Sequence, residues 1–478
     1  QGGMMRNPIK KCHQAAPSFL EPRFKKDQKV TDEVIKSRGQ SFELSSEKLI
    51  SRLTRPSLVS STHGAVDQIL LTLPSWLFLN REEVETTIFN DDFTSYEVTA
   101  NAFKSILKHL PKETKFLILI HDKAVFDDQE YFNPRDRLTE WLEPLGRTEF
   151  TKIITAPSTV NFTMWAEDAY VISEDLDDTE AYFVKPTSYN RGDDLLIADT
   201  IAESTSFEHT QANLYFQGGN LLIGDDFWFI GMDYPKRSLE YGHVKPAPYE
   251  TPYKAVTQAY RDALDNQRKV IQIGSRLPVP SFDYNKKYKM NVKIKKNDDI
   301  VKGETWTELL YCANEPWTVQ PMFHIDMFLT LAGRDEDGKY IVLVGDPRLA
   351  AEILEEFLEP HAMADIFDDI ACQLETLGFR VVRNPLPLTY YDNLDEKVRT
   401  WYFASSNNAL VQVMDESKAV WLPTYGHRYW PELEATDKEN IRIWKDELKF
   451  IVHDLGDFHP FAVNSGAAHC VTKYLSRR

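Results

Sequence analysis

Apolar and polar positions divide the chain into short strands separated by longer amphipathic stretches. Residues 66–73 (VDQILLTL) give the first strong strand pattern. Residues 115–121 (KFLILIH) are apolar almost throughout, as expected for a strand buried on both faces. Between them, Val98, Phe103, Ile106, Leu107 and Leu110 recur at three-and-four spacing and predict a helix over 97–110. The alternation then repeats. Strands are predicted at 152–155, 169–173 and 182–184, and a helix at 194–204. A hairpin is predicted over 213–233, turning at Asp225-Asp226. Its first strand holds Asn213-Leu-Tyr-Phe-Gln-Gly218, a run resembling a tobacco-etch-virus protease site that folding should shield. A helix with Tyr253, Val256, Tyr260 and Leu264 on one side precedes a strand at 269–273. Further on come a strand at 340–344, one long helix over 349–377 and a closing strand at 379–382. The last unit shows strands at 400–403, 409–413, 419–422 and 450–452, with a helix over 431–448.

Repeated strand-strand-helix-strand units argue for an α/β architecture with a crossover in each repeat. Residues 4–62 are polar, with few apolar runs, and read as an N-terminal extension to one catalytic domain over 63–478. Gln1-Gly-Gly reads as a tag remnant of residues 1–3, with the native start expected at Met4 or Met5. The Lys- and Asn-rich segment 282–305 reads as an insertion in the form of a solvated loop.

Composition narrows the classes. With 478 residues, 42% of them hydrophobic, the chain can bury a sizeable core. A net charge of −18 argues against nucleic acid as a partner and suits a cationic one. No run of eighteen apolar residues occurs, so no helical membrane span is expected. Lys10, Lys11 and His13 have no apolar stretch behind them, which is not the pattern of a signal peptide. Four scattered cysteines (Cys12, Cys312, Cys372 and Cys470) without CxxC spacing point to a reducing compartment, and a cytoplasmic location is expected.

The candidate chemistry centres on Asn464-Ser-Gly-Ala-Ala-His469-Cys470, where small residues would let another molecule approach a thiol closely. A cysteine taken alone is more often buried and inert. Three upstream motifs change that picture: Trp165-Ala-Glu-Asp168, Phe216-Gln-Gly-Gly-Asn220 and Phe323-His-Ile-Asp326. His324 and Asp326 are two apart, so on a strand they would share a face. A soft nucleophile, a proton carrier and carboxylates are what attack on a guanidinium carbon requires. A papain-like protease would carry its cysteine early and on a helix, which does not fit. A metal centre from His324, Asp326, His469 and Cys470 lacks the ligand-pair spacing of zinc sites, and neither metal nor cofactor is expected.

The four motifs, in this order, resemble the guanidino-group-modifying (pentein) superfamily, in particular agmatine deiminases and bacterial-type peptidylarginine deiminases. The resemblance implies a five-bladed α/β propeller with its site on the pseudo-fivefold axis. It implies Cys470 as nucleophile, His324 as acid and base, and Asp168 and Asp326 as the grip on the guanidinium. Trp165 and Gln217 would join them on the substrate side. Departures are visible: Glu167 and Ala169-Tyr170 replace an Arg and a Gly-Pro, and Gln217 stands where the family has a Glu to orient the histidine. Tyr189-Asn-Arg-Gly-Asp-Asp194 resembles a peptidylarginine-deiminase segment, so Arg191 is expected to bind a substrate carboxylate; a surface pairing with Asp193 or Asp194 is the alternative. The implied partner is a cationic guanidino small molecule or an arginyl peptide, with neither nucleic acid nor membrane, and the chain may assemble as a homo-oligomer. An amidinotransferase or dihydrolase would use the same residues, and a non-catalytic binding module of the same fold is a further alternative.

Overall fold

The computed structural model describes residues 53–80, 82–83, 93–189, 191–281, 285–293, 300–310, 316–393 and 397–478. Cys12, Cys312 and the expected extension as far as residue 52 lie outside the described residues.

Five sheets share one plan: two antiparallel strands, then a helical crossover to a third strand parallel to the second. The strand triplets are Val171–Asp175, Ala181–Lys185 and Glu208–Gln211; then Leu221–Ile223, Phe227–Gly231 and Lys269–Ile273. Next come Leu329–Arg334, Tyr340–Asp346 and Arg380–Pro385; then Leu410–Val413, Lys418–Thr424 and Ile451–Asp457. The fifth unit joins the two ends of the chain. Lys473–Arg477 pairs antiparallel with Val66–Thr72, which lies parallel to Lys115–His121, itself parallel to Thr151–Ala156.

Central parallel strands such as Lys115–His121 and Phe227–Gly231 are apolar because they are covered on both faces. In the fifth unit the helix Phe93–His109 turns Phe103, Ile106 and Leu107 inward, all fully buried, each stabilising by about 1.5–3 kcal/mol relative to exposure. A charge placed at Ile106 would break that packing. The strand Pro56–Leu58, from the segment preceding residue 63, adds to the edge of the first unit through pairing with Ser173, Glu174 and Asp175.

Several expectations are corrected. The segment 282–305 does not form a loop: Asn285–Lys293 and Ile300–Leu310 pair as a hairpin. That hairpin continues into Val398–Phe403 and Leu388–Asn393, so the strand expected at 400–403 belongs to this added sheet and not to the last unit. The helix expected over 349–377 is two helices, Pro347–Leu354 and Ala364–Thr376. Pro360 and the left-handed residues Glu355 and Met363 separate them, since proline removes a donor and clashes with the preceding turn. The run Asn213–Gln217 is loop instead of strand, followed by a 3₁₀ turn at Gly218–Asn220; burial of Leu214, Phe216 and Gln217 still shields it. The helix expected over 431–448 holds its α-helical part at Glu434–Arg442, between a 3₁₀ turn and a π turn.

Candidate active site

In every unit the first strand runs opposite to the strands that follow it, so the loop entering it lies where they leave the sheet. Each of these five entry loops carries a polar group that meets the others. They are Asp168 before Val171, Gln217 before Leu221, His324 and Asp326 before Leu329, Asn408 before Leu410, and His469 and Cys470 before Lys473. His324 and Asp326 do not sit on a strand as expected. His324 is extended and caps the 3₁₀ turn Ile325–Met327, which still turns both side chains inward.

Gly219 marks the centre. A Cβ built there would lie 2.5 Å from His324 Nδ1, 2.8 Å from Asp168 Oδ1 and 3.0 Å from Asp326 Oδ2. Any side chain at 219 would fill the space these three groups surround. The Gly219 N–H donates to Asp168 Oδ1 at 3.2 Å.

On one flank, Cys470 Sγ is 3.5 Å from Asp326 Oδ2, and His469 Nδ1 is 2.9 Å from the same oxygen. Asp326 Oδ1 is buried and accepts no hydrogen bond among the described residues, which leaves it open to a ligand's N–H. Asn408 ties this flank together. Its Oδ1 accepts from the Cys470 N–H at 3.1 Å, its carbonyl accepts from the His469 N–H, and its Nδ2 donates to the Asp326 carbonyl. The loop carrying Cys470 includes Ser465 at φ 60°, a left-handed conformation unusual outside glycine.

On the other flank, His324 Nδ1 is 3.5 Å from Asp168 Oδ1, while Nε2 lies 2.6 Å from Gln217 Oε1. An amide oxygen only accepts, so Nε2 carries the proton and Nδ1 faces the centre. Asn220 positions this loop by accepting from the Ile325 N–H and exchanging hydrogen bonds with Gln320.

Arg191 departs from expectation. It is fully buried and its Nη1 donates to Asp168 Oδ2 at 2.8 Å, with its guanidinium 5.1 Å from the Tyr189 ring. A desolvated guanidinium must find an anion, and Asp168 is that anion. Arg191 is therefore no surface partner of Asp193 or Asp194, and its buried Nη1 is held by Asp168. Asp194 instead accepts from the Thr163 N–H and hydroxyl, and burial pushes its pKa up to about 7. Trp165 is fully buried in the apolar core, its ring 6.2 Å from Phe461.

Behind His469 lies a second buried ion pair, Glu167 Oε1 to Lys473 Nζ at 3.1 Å. Burial raises the Glu167 pKa, and Lys473 opposes that shift. Burial also works against charge on His469, but Glu167 and Asp326 outweigh it and raise its pKa above the usual imidazole range. Among the described residues no cluster of His, Cys, Asp and Glu has the arrangement to hold a metal ion.

The structure thus brings Cys470, His324, Asp168, Asp326 and Gln217 to one place. It adds Asn408, His469, Lys473 and Gly219, to which the sequence reading gave no role. Asn408 had one available sign: Ser405-Ser-Asn-Asn408 stands just before an apolar strand, as the other four loops do.

No protein-family model and no curated protein matches the chain. Solved structures do. C. jejuni agmatine deiminase with substrate bound superposes at TM-score 0.53 and 10% identity, over 88% of this chain and 98% of that one. A second structure of C. jejuni agmatine deiminase gives TM-score 0.52 and 11% identity, over 89% and 98%. A protein provisionally named a peptidyl-arginine deiminase gives 0.51 and 12%, over 89% and 100%. The chain shares its fold with these deiminases.

Proposed function

We propose that this chain is a guanidine hydrolase that releases ammonia and leaves a ureido product, working through Cys470. The supporting observation is the convergence of Cys470, His324, Asp168 and Asp326 on the space beside Gly219. The five like sheets, each lending one entry loop to that centre, favour a five-bladed propeller around it. Residues 63–478 form the catalytic domain in this reading.

The steps follow from the groups in place. Asp326 Oδ1 accepts guanidinium N–H donors, and Asp168 supplies the second carboxylate, matching the planar fork of a guanidinium. The Cys470 thiolate adds to the central carbon, and the tetrahedral adduct expels ammonia as His324, protonated at both ring nitrogens for this step, gives its Nδ1 proton to the leaving amine. Water, deprotonated by His324, then adds to the thiouronium carbon. Collapse breaks the carbon–sulfur bond, giving the ureido product and returning the thiolate. Gln217 orients His324 without adding a full negative charge, so less of the imidazolium is stabilised than a glutamate would support. A reducing compartment such as the cytoplasm keeps Cys470 in the required thiol state.

With Arg191 buried on Asp168, nothing at that position selects arginine over agmatine. The test is ammonia release from agmatine, free arginine and arginyl peptides, with the ureido product identified. Ammonia and ureido product in equal amounts from at least one of them is expected. Transfer of the amidino group to an added amine, with no ammonia, would instead assign the chain as an amidinotransferase.

A further inference from the structure

Glu167 sits where the ring of units closes. Its N–H donates to the Cys470 carbonyl at 3.3 Å, which ties the entry loop of the first unit to the backbone of the candidate nucleophile. The Glu167 carbonyl and Oε1 accept from Lys473 Nζ at 3.0 and 3.1 Å, and Lys473 opens the strand that follows Cys470. Gly218 packs against both groups: a Cβ there would overlap the Glu167 carbonyl oxygen and stand 2.8 Å from Lys473 Nζ. Glu167 and Lys473 are only 6% and 5% exposed. A neutral Glu167 would leave the Lys473 ammonium buried without an anion, so the pair is ionised.

Glu167, Lys473 and His469 line one pocket of about 30 Å³, and Leu58, Val59 and Ser61 complete its wall. The latter three belong to a strap that crosses the first strands of successive units. Along it the Val59 N–H donates to the Ile172 carbonyl, the Ser61 N–H to Ile223 and the Gly64 N–H to Val413. The pocket has room for about one or two water molecules, with polar groups to hold them. Lys473 uses two of its three N–H donors on Glu167. His469 uses Nδ1 on Asp326 at 2.9 Å, which leaves Nε2 as the ring nitrogen available to the pocket. The charged and titratable groups around this ring are Asp326 from the third unit, Glu167 from the first, and Cys470, Lys473 and Tyr474 from its own segment. Burial works against charge on His469; Glu167 and then Asp326 favour it, and Lys473 opposes it more weakly.

We propose that Glu167 is a positioning residue that acts on Cys470 through His469. Anchored by Lys473, its carboxylate holds His469, across water in the shared pocket, in the charged form that offsets Asp326 beside the thiolate. For the role of Cys470 the inference rests on the reading of the chain as a guanidine hydrolase. It also accounts for the departure at this position, since an arginine at 167 would oppose charge on His469.

Glu167→Gln keeps an acceptor for Lys473 and removes the charge. The His469 ring is followed by NMR of histidine-labelled protein, with His469→Asn to assign its signal. Its titration midpoint should fall by about one pH unit or more in Glu167→Gln. The alkaline limb of kcat/KM for ammonia release should move with it, while the acid plateau changes far less. Glu167→Asp, which restores the charge, should bring the midpoint most of the way back. Should Glu167→Gln fail to fold because Lys473 is left unpaired, Glu167→Gln/Lys473→Met removes both charges. Its midpoint should fall as well, since Glu167 outweighs Lys473 at His469. An unmoved midpoint in a folded variant, with activity lowered evenly at every pH or not at all, overturns the inference and leaves the hydrolase reading intact. A lowered midpoint in a protein whose wild type turns over no guanidine keeps Glu167 as the group that charges His469 and overturns the hydrolase reading.

Discussion

The two carboxylates beside Gly219 are compensated in different ways. Asp168 is paired with Arg191, whose guanidinium keeps its proton at every working pH. Asp326 is paired with His469, an imidazole that can lose its proton. The partner of Asp168 therefore keeps its charge, while the partner of Asp326 titrates. The carboxylate beside the nucleophile has a pH-dependent counter-ion, and the carboxylate beside His324 has a constant one.

The largest effect that separates the flanks should be on stability. Asp168→Asn leaves Arg191 buried without its anion, and removing one partner of a buried pair costs about 3–5 kcal/mol. Asp326→Asn should cost less, because His469 can respond by releasing its proton. Urea melts of the two variants check this, and equal losses would erase the distinction.

Asn408→Ala comes next. It strips the Cys470 N–H of its acceptor and unties the Asp326 loop, so about 1–3 kcal/mol of stability should be lost with Cys470 chemically intact. The same melts measure it, and a change within a few tenths of a kcal/mol would deny Asn408 that role.

The pH dependence is more subtle. The His469 pKa is raised, so its charge is complete below about 6.5 and is lost as pH rises through the raised value. The pair with Asp326 stabilises the fold in that lower range and weakens on the alkaline side. The same loss leaves an uncompensated carboxylate 3.5 Å from Sγ, which disfavours the thiolate. An alkaline limb in kcat/KM is expected, and His469→Asn should displace it. An identical profile in that variant would remove His469 from the titration.

The smallest effect contrasts two thiols. Cys372 is exposed and Cys470 buried, so iodoacetamide should label Cys372 before Cys470 in the native protein. Peptide mass mapping over time reads the order.

Much of this centre was legible because side-chain identity alone carries it. Cys470, His324, Asp168 and Asp326 are chemically distinctive and stand in short motifs. Asn408 was not, because Ser-Ser-Asn-Asn reads equally well as a turn, and only the tertiary fold brings it to Cys470. The burial of Arg191 on Asp168 was hidden for a related reason: sequence shows a cation, but not whether it is buried against an anion. The added sheet escaped because lysines dominate 285–293, yet Tyr288, Met290 and Val292 alternate there at the spacing of a strand. The break in the 349–377 helix was visible in Pro360. The pairing of Lys473–Arg477 with Val66–Thr72 joins positions some four hundred residues apart, which no local pattern reports.

The most direct test follows Cys470 itself. Wild type and Cys470→Ala are mixed with a guanidine substrate, quenched in acid and weighed intact, with ammonia measured alongside. The wild type should show an added mass equal to substrate minus ammonia, located on the peptide that contains Cys470. Cys470→Ala should show neither adduct nor turnover, a loss of about a thousandfold or more. Ammonia release persisting in that variant, or an adduct on another residue, would contradict the account.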